Sequence, residues 1–336
     1  MKTKSEALTK QSAVKLLLTI VLGSIAWAST AQQQYQISQY QTNPYMLNPA
    51  SSGLYDYVDI TGSFRQQWAG FTNAPKTFYV SGHSALKFNG GPKYNPSLRS
   101  GRLTAIQTPE VSTGKLKHSV GGYIMGDEYG AFDQLTAMAS YAVHIPIAKG
   151  YNISAGVAGG WSQYTFDQNK VDMLNDTDPT FTAFLSQGMM QSYFNMNAGL
   201  QLYSENLRIG YTSSELLRTV VKFGGDNTNF DLRVHHFITA EFKYPINPKL
   251  TITPSAVFKF MKPAPLSIDG TVIVTYDRMI WGGASYRNGD AIIGLVGLNL
   301  SEIFKLGYSY DFTVSKLRTY NKGGHEIVLG AMLCKK

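Results

Sequence analysis

Two serine–histidine combinations come nearest to hydrolytic chemistry in this chain. His83 and Ser84 are adjacent, and Ser140 precedes His144 by four residues. In a β-strand, adjacent side chains point to opposite faces and four residues span about 13 Å, so neither serine has a histidine within hydrogen-bond reach. The chain also has no nucleophile elbow, phosphate-binding loop or HExxH motif, so we predict no enzyme and no cofactor.

An acidic run could bind a metal ion. It comprises Asp167, Asp172, Asp176 and Asp178, within a predicted loop over residues 167–189. Clustered carboxylates suit Ca²⁺, but this spacing does not match an EF-hand. We therefore favour a solvated acidic loop without a metal over a calcium site.

The element that must position any interior chemistry is a hairpin near the start of the chain. From residue 58 to 65 two kinds of side chain alternate strictly, with Val58, Ile60, Gly62 and Phe64 set against Asp59, Thr61, Ser63 and Arg65. A period of two predicts a β-strand with one apolar and one polar face. A turn carrying Gly70 and Asn73 leads into a second strand at Lys76. The polar face of the first strand therefore carries the full charge of Arg65.

The first 31 residues have the order of an export signal. A lysine-rich start is followed by the apolar run Leu16–Ala28 and then by Ser29, Thr30 and Ala31. The run is too short to span a bilayer as a helix, so we predict a signal peptide, residues 1–31, that is cleaved before Gln32. The whole chain carries +8, of which the leader contributes +3, which leaves +5. A mildly basic, exported chain is not expected to bind nucleic acid.

The composition favours a membrane barrel. Charged residues are 15%, aromatic residues 12% and glycines 32 in number, and no segment after the leader approaches 18 uninterrupted apolar residues. The single Cys334 excludes an internal disulfide. We predict an all-β fold, a transmembrane antiparallel outer-membrane β-barrel of about 14 strands that contacts outer-membrane lipid.

The predicted division of the chain has three parts. Residues 1–31 form the signal peptide, 32–55 a periplasmic N-terminal arm, and 56–336 the barrel. Residues 88–117 are rich in Pro, Gly and charge, and we predict an insertion or long loop there.

The spacing of turn residues predicts how the barrel lies in the membrane. Longer loops are predicted on the outer side at 68–75, 167–189, 216–230, 262–266 and 314–322, and short periplasmic turns at 145–150, 204–206, 246–248 and 300–302. This asymmetry is typical of outer-membrane barrels. The 88–117 segment breaks the asymmetry because strand order places it on the periplasmic side.

Five charged residues lie in or beside predicted strands: Arg65, Asp127, Arg278, Arg287 and Asp311. An arginine facing lipid near the bilayer midplane would cost about 2–4 kcal/mol. We therefore expect these residues to face the lumen and pair there. A structural salt-bridge network that plugs the barrel is the favoured interpretation, and a ligand or ion path is the alternative.

Several motifs in one order resemble the PorP/SprF family of type IX secretion system membrane proteins over essentially the whole mature length. The early motifs are Gln39-Tyr40, Asn48-Pro49-Ala50, Arg65-Gln66-Gln67-Trp68 with Gly70, and Ala74-Pro75-Lys76-Thr77. The later ones include Ser267-Ile268-Asp269, Tyr286-Arg287, Gly307-Tyr308-Ser309-Tyr310-Asp311 and His325-Glu326-Ile327.

The resemblance implies an outer-membrane barrel without enzymatic activity. Some family members belong to the secretion and gliding machinery, with periplasmic peptidoglycan-linked components, and others are paired with one large exported adhesin. The motif positions carried over as structural or docking positions are Asn48, Pro49, Arg65, Gln66, Gln67, Trp68, Gly70, Pro75, Tyr310, His325 and Glu326. The rival hypothesis is a channel or transporter for a small solute, which an open lumen would favour and a filled one would not.

Overall fold

Strands dominate the computed structural model of the chain. It describes residues 35–55, 57–86, 115–171, 190–217, 220–222, 229–262, 264–300 and 303–333. The predicted signal peptide, most of the predicted 88–117 insertion, the acidic residues Asp172, Asp176 and Asp178, and Cys334 lie outside these ranges.

Seventeen strands occur among the described residues. They are β1 Val58–Gln66, β2 Lys76–Leu86, β3 Lys117–Tyr129, β4 Phe132–Ala148, β5 Tyr151–Phe166, β6 Met190–Tyr203, β7 Leu207–Ser214, β8 Val220–Lys222, β9 Asn229–Asp231, β10 His235–Phe242, β11 Tyr244–Asn247, β12 Leu250–Phe260, β13 Ser267–Tyr276, β14 Ile280–Arg287, β15 Ala291–Leu300, β16 Phe304–Thr313 and β17 Gly324–Leu333. Short 3₁₀ turns are found at Pro44–Met46, Pro49–Ser51, Gln168–Lys170 and Lys316–Thr319.

The main sheet closes on itself. From β1 to β7 and from β12 to β17 each strand pairs antiparallel with the next, and the first strand, β1, also pairs with the last, β17, from Val58↔Leu333 to Gln66↔His325. On the far side β10 pairs with both β7 and β12, while β11 continues the line of β10 along β12. The β8–β9 hairpin stands outside the ring. The result is a closed antiparallel barrel of 14 strand positions, which confirms the predicted fold and strand number.

The two faces of the wall differ as the alternation predicted. In β1, Ile60 and Phe64 are exposed on the outside, whereas Thr61 and Arg65 are buried inside. The same pattern continues around the ring, and Val80 at the middle of β2 is 58% exposed. An apolar exterior with a polar interior is the arrangement that lipid requires, because lipid can satisfy no polar group.

The two ends of the barrel differ in their connections. One end, called the turn end here, contains the brief connections at 149–150, 204–206, 248–249 and 277–279. The opposite end, called the loop end, contains the connections at 67–75, 167–189, 215–234, 261–266 and 314–323, together with two short ones. The predicted asymmetry is thus present, and the connection between β2 and β3 is its one large exception, also as predicted.

The described residues include no helix of the length and apolarity needed to cross a membrane. The barrel and all that it encloses belong to one structural unit, Tyr35–Met261 with Leu266–Lys336.

The outward face of β2 offers a test of lipid contact. Val80→Arg should lower the free energy of unfolding in lipid vesicles by about 2–4 kcal/mol, because the charge would be placed against the bilayer core. Denaturant titration followed by tryptophan fluorescence measures this change. The matched control is Val80→Leu, which keeps the site apolar. Equal stability of the Val80→Arg and Val80→Leu proteins would contradict the proposed lipid-facing position.

Candidate functional site

Residues 35–55 lie inside the ring of strands, and we call this segment the plug. Its side chains and backbone bond to inward-facing groups of β2, β4, β6, β12, β13, β16 and β17. Those strands stand on different sides of the barrel, so only a segment in the lumen can contact all of them. The sequence analysis had assigned residues 32–55 to a periplasmic arm; for residues 35–55 the structure replaces that arm with a plug.

The plug is built from a polar sequence folded into two short turns. Proline begins each 3₁₀ turn, where its missing N–H costs no hydrogen bond. The Asn48 Oδ1 atom accepts a hydrogen bond from the Ala50 N–H at 2.9 Å, and its Nδ2 atom donates to the Leu200 carbonyl of β6 at 3.1 Å. Asn48 and Pro49 of the first family motif therefore shape the plug and fasten it to the wall.

Two wall glycines allow the plug to approach. A Cβ atom at Gly156 would stand 2.5 Å from the Ala50 nitrogen, and one at Gly199 would stand 2.0 Å from Asn48 Oδ1. Both distances are far below van der Waals contact. A side chain at either position would have to displace the plug.

Tyrosines fill the middle of the lumen. The Tyr45 hydroxyl lies 2.7 Å from Ser140 Oγ of β4, and the Tyr40 hydroxyl donates to Thr271 Oγ1 of β13 at 3.1 Å. The two rings join a buried apolar cluster with Tyr79, Tyr123, Met125 and Met138 of the wall. Plug and wall thus share one buried core at mid-depth of the lumen.

Near the loop end, Arg65 of β1 forms ion pairs with two acidic side chains. Its Nη2 atom is 2.7 Å from Asp311 Oδ2 of β16, and its Nη1 atom is 3.4 Å from Glu326 Oε2 of β17. Ser38 of the plug completes the group, since its N–H donates to Glu326 at 2.7 Å and its hydroxyl oxygen accepts from Arg65. All three charged side chains are almost fully buried.

The ion pairs continue along the wall. Arg287 of β14 lies 3.5 Å from the same Asp311 and 3.2 Å from Asp269 of β13. Asp269 in turn receives the Lys259 ammonium of β12 at 2.7 Å. Three cations and three anions therefore form one buried ion network: Arg65, Arg287, Lys259, Asp269, Asp311 and Glu326.

The five residues that the sequence grouped as lumen charges separate in the structure. Arg65, Arg287 and Asp311 belong to the buried ion network. Asp127 lies apart from it and accepts a hydrogen bond from Thr77 Oγ1 at 2.5 Å. Arg278 is a correction, because it occupies the tight turn between β13 and β14 with φ +58° and is half-exposed at the turn end.

Sequence reasoning did not place Lys259 and Asp269 in this set. Both occupy inward-facing positions of their strands. The alternation of inward and outward side chains along these strands could therefore have identified them from the sequence. Two further inward pairs lie nearer the turn end, Lys305 with Asp59 at 2.9 Å and Arg208 with Glu241 at 2.5 Å.

The remaining family-motif residues meet at the seam where the first and last strands pair. In the loop after β1, the Gln67 N–H donates to the Pro75 carbonyl at 2.9 Å, and the backbone of Ala69 bonds to Lys322 and Gly323 of the β16–β17 connection. Trp68 and Gly70 have φ +46° and +101°, which shapes this loop.

The seam also collects the C-terminal motifs. The Tyr310 hydroxyl donates to the Lys322 carbonyl at 2.7 Å, and the His325 ring lies 4.9 Å from the Tyr310 ring. Gln66 stands opposite His325 in the β1–β17 register. Motifs separated by some 250 residues therefore form one contiguous region of the wall.

Two serine–histidine contacts occur among the described residues, but neither is in the pairs that the sequence suggested. Ser213 Oγ lies 2.9 Å from His236 Nδ1, an atom that also contacts the Tyr211 hydroxyl, and the second contact lies inside the barrel. Ser119 Oγ is 3.4 Å from His144 Nε2, while Ser140 bonds to Tyr45 instead. Ser119 and His144 are both fully buried and both bond to the Ser52 carbonyl of the plug. Their polar atoms are therefore occupied in fastening the plug to the wall.

No group of three or more potential metal ligands occurs within the ranges that the structure describes. Asp167, the described member of the acidic run, accepts a hydrogen bond from the Asn169 N–H at 3.0 Å.

A cavity of about 170 Å³ opens at the turn end. Its lining includes Trp281, Tyr57 and the Lys305–Asp59 pair, together with plug residues Gln41, Thr42 and Pro44. The plug therefore forms part of the cavity wall.

A closed antiparallel ring with an apolar exterior and a filled polar interior is the architecture of an outer-membrane β-barrel. The chain belongs to the family described as type IX secretion system membrane protein PorP/SprF, whose model matches residues 29–331. This confirms the predicted family and the outer-membrane location.

The solved structures to which the chain is similar include an outer membrane protein and a hydrocarbon channel. The outer membrane protein Omp33 of Acinetobacter baumannii is 8% identical, with 84% of this chain and 100% of that chain covered and a TM-score of 0.44. A deletion mutant of the monoaromatic hydrocarbon channel TodX is 8% identical over 90% and 95% of the two chains, with a TM-score of 0.46. No functionally curated protein matches the chain.

The buried ion network predicts a large effect of a single substitution. Arg65→Met should lower the free energy of unfolding by about 3–5 kcal/mol, because Asp311 and Glu326 would remain buried without their cation. Denaturant titration of the vesicle-inserted protein gives this value. Arg278→Gln is the control and should change stability by less than about 0.5 kcal/mol. Adding Asp311→Asn and Glu326→Gln to Arg65→Met should recover part of the loss, and additive losses would contradict a coupled network.

A second prediction concerns Glu215, which follows β7 at the loop end, outside the strands. Burial raises the pKa of its carboxyl to about 7, partly offset by a hydrogen bond from Asn195. A raised carboxyl pKa means that the folded state binds the proton more tightly than the unfolded state. The stability that this proton provides is complete below about pH 4.5 and is lost as the pH rises through 7.

Glu215→Gln should therefore flatten the pH dependence of unfolding. We expect the wild-type protein to lose about 2 kcal/mol more than the variant between pH 4.5 and pH 8. Denaturant titrations at these two pH values measure the difference, and Glu205→Gln in the turn between β6 and β7 serves as control. Parallel pH profiles for wild type and Glu215→Gln would refute the assignment.

Proposed function

We propose that this barrel is a non-enzymatic scaffold of the type IX secretion machinery, which supports secretion or surface attachment of exported partner proteins such as large adhesins. Family membership supports a role within the secretion system. The finer role, including any part in gliding and any contact with a periplasmic peptidoglycan-linked component, is part of the proposal.

The observation that carries the proposal is the occupied lumen. A transporter needs a continuous path, whereas this interior contains the plug, a shared tyrosine-rich core and the buried ion network. Each charged residue of the network has an ion-pair partner, and Ser38 of the plug bonds to both Arg65 and Glu326, so moving the plug aside would remove partners from buried charges. An occupied lumen therefore favours a function in which the exposed surfaces of the barrel bind other proteins.

Those surfaces lie at the two ends of the wall. Most family-motif residues, among them Arg65, Glu326 and Asn48, are committed to bonds inside the barrel, which supports a structural role for them. Trp68 and Gly70 lie in the loop-end connection at the seam, where Phe71 is 40% exposed. We assign the docking role that the family motifs suggested to this loop.

The experiment is a mild-detergent purification of the tagged chain from its own outer membrane, with co-purified proteins identified by mass spectrometry. We expect a large exported adhesin-like protein or secretion-system components to be enriched over an unrelated barrel carrying the same tag. Phe71→Ser should reduce that recovery, whereas Thr72→Ser, the matched control in the same loop, should not.

The purified chain is then tested alone in a planar bilayer, with a general porin as positive control. We expect no stable conductance steps. A chain that purifies without partners and conducts would overturn the scaffold and establish the transporter.

A further inference from the structure

The cavity at the turn end, called the turn-end cavity here, is built jointly by the wall and the plug. Its wall residues lie close to the strand ends, among them Thr275 of β13, Trp281 of β14 and Lys305 of β16. Thr275 and Trp281 stand directly opposite each other in the β13–β14 register, so their side chains are neighbours on one face of the sheet. Gln41 and Pro44 of the plug complete the lining.

The ionised side chains of this lining already have partners within the protein. The Lys305 ammonium lies 2.9 Å from Asp59, and Glu241 lies 2.5 Å from Arg208. Lys243 is engaged within the chain as well. A charged ligand would therefore find no unpaired opposite charge among the described lining residues. The cavity favours a neutral ligand, because burying a charge without a partner is costly.

Several neutral hydrogen-bonding groups of the lining have no partner within the part of the chain that the structure describes. The indole N–H of Trp281 makes no hydrogen bond, although the residue is only 7% exposed. A buried tryptophan N–H usually has an acceptor. The hydroxyl groups of Thr253 and Thr275 and the side-chain oxygen atoms of Gln41 and Asn299 are also unpaired. The cavity thus offers both donors and acceptors to a ligand that carries several hydroxyl groups.

The volume of the turn-end cavity suits one six-membered ring. At about 170 Å³ it is close to the protein cavity of about 150 Å³ that accepts one benzene molecule. Apolar surface is also present, since the Tyr55 and Tyr57 rings stack with their centroids 5.3 Å apart and Ile273 and Val328 complete the lining. A pyranose sugar has an apolar face of C–H groups and a rim of hydroxyl groups, so it matches both parts of this lining.

We propose that the turn-end cavity binds one neutral pyranose ring, either as a free sugar or as one residue of a glycan chain. The indole N–H of Trp281 and the hydroxyl groups of Thr253 and Thr275 bond to the hydroxyl groups of the sugar. The turn end faces the periplasm, because outer-membrane barrels carry their short turns on that side. The sugar therefore comes from the periplasm. This inference does not rest on the scaffold function.

A sugar titration of the full chain, purified from its outer membrane in a detergent without a sugar headgroup, tests the proposal. Trp68→Phe and Trp161→Phe leave Trp281 as the one tryptophan after the predicted leader. The ligands are methyl glucoside, methyl galactoside and N-acetylglucosamine, with maltotriose and chitotriose as short glycan chains. We expect a saturable change in Trp281 fluorescence, with a Kd on the order of 1 mM for a single ring. Tighter binding of a trisaccharide would identify a glycan chain as the source, and equal binding a free sugar.

Two variants locate the binding within the cavity. Thr275→Val and Thr253→Val keep the shape of the side chain and remove one hydroxyl group, so each should weaken sugar binding about tenfold. Thr319→Val is the matched control, because Thr319 is exposed at the loop end. It should leave the affinity unchanged. Heat-modifiable migration in electrophoresis verifies that each variant has folded.

Two further compounds test the chemistry of the ligand. Mannitol, an open-chain polyol, and cyclohexanol, a ring with one hydroxyl group, should both fail to give a saturable response. Absence of a saturable response to every sugar would overturn the inference and leave a cavity that holds only solvent. Cyclohexanol binding as tightly as the sugars would show a site for apolar rings instead. Unchanged sugar affinity in both Thr275→Val and Thr253→Val would place the binding elsewhere on the protein.

Discussion

The constraint on which the structure depends is that a polar group surrounded by lipid must find its partner within the protein. Strands solve this for the backbone by closing into a ring, which leaves no unpaired edge. Closure of the ring then creates an interior whose polar groups also need hydrogen-bond or ion-pair partners. Here the interior contains arginines, aspartates and a segment of irregular backbone, and the charged residues of the network are paired with one another. The plug and the buried ion network therefore both provide partners for polar groups inside the barrel.

The network lies where closure occurs. Arg65 belongs to the first strand and Glu326 to the last, and they face each other in the β1–β17 register. Ser38 of the plug bonds to both of them. The seam, the plug and the charges are thus fastened at one place, which joins the first strand to the last. This location explains why motifs from both ends of the sequence serve a single region.

A filled lumen narrows the functions that the barrel can perform. A pore requires a path, and a catalyst requires reactive groups that a substrate can reach. In this barrel His144 is the inward histidine nearest to a serine, and its ring bonds to a carbonyl of the plug. The charged groups of the network pair with one another. In the scaffold function that we propose, partner proteins would contact the rim at either end of the barrel.

Much of this fold follows from local sequence pattern. Alternation determines which side chains face lipid, because the side-chain period of a strand is two whatever its neighbours are. The strand number, the orientation of Arg65 and the asymmetry of the connections all follow from that period and from turn residues.

Tertiary structure alone decided what the interior contains. Residues 35–55 show no hydrophobic period, so their local sequence does not distinguish a free arm from a plug. They are stable in the lumen because the inward-facing groups of the closed ring provide their hydrogen-bond partners. The same holds for the charges. Arg287 and Arg278 look alike in sequence, yet Arg287 lies in a strand and pairs with Asp311, whereas Arg278 lies in a tight turn and is only partly buried.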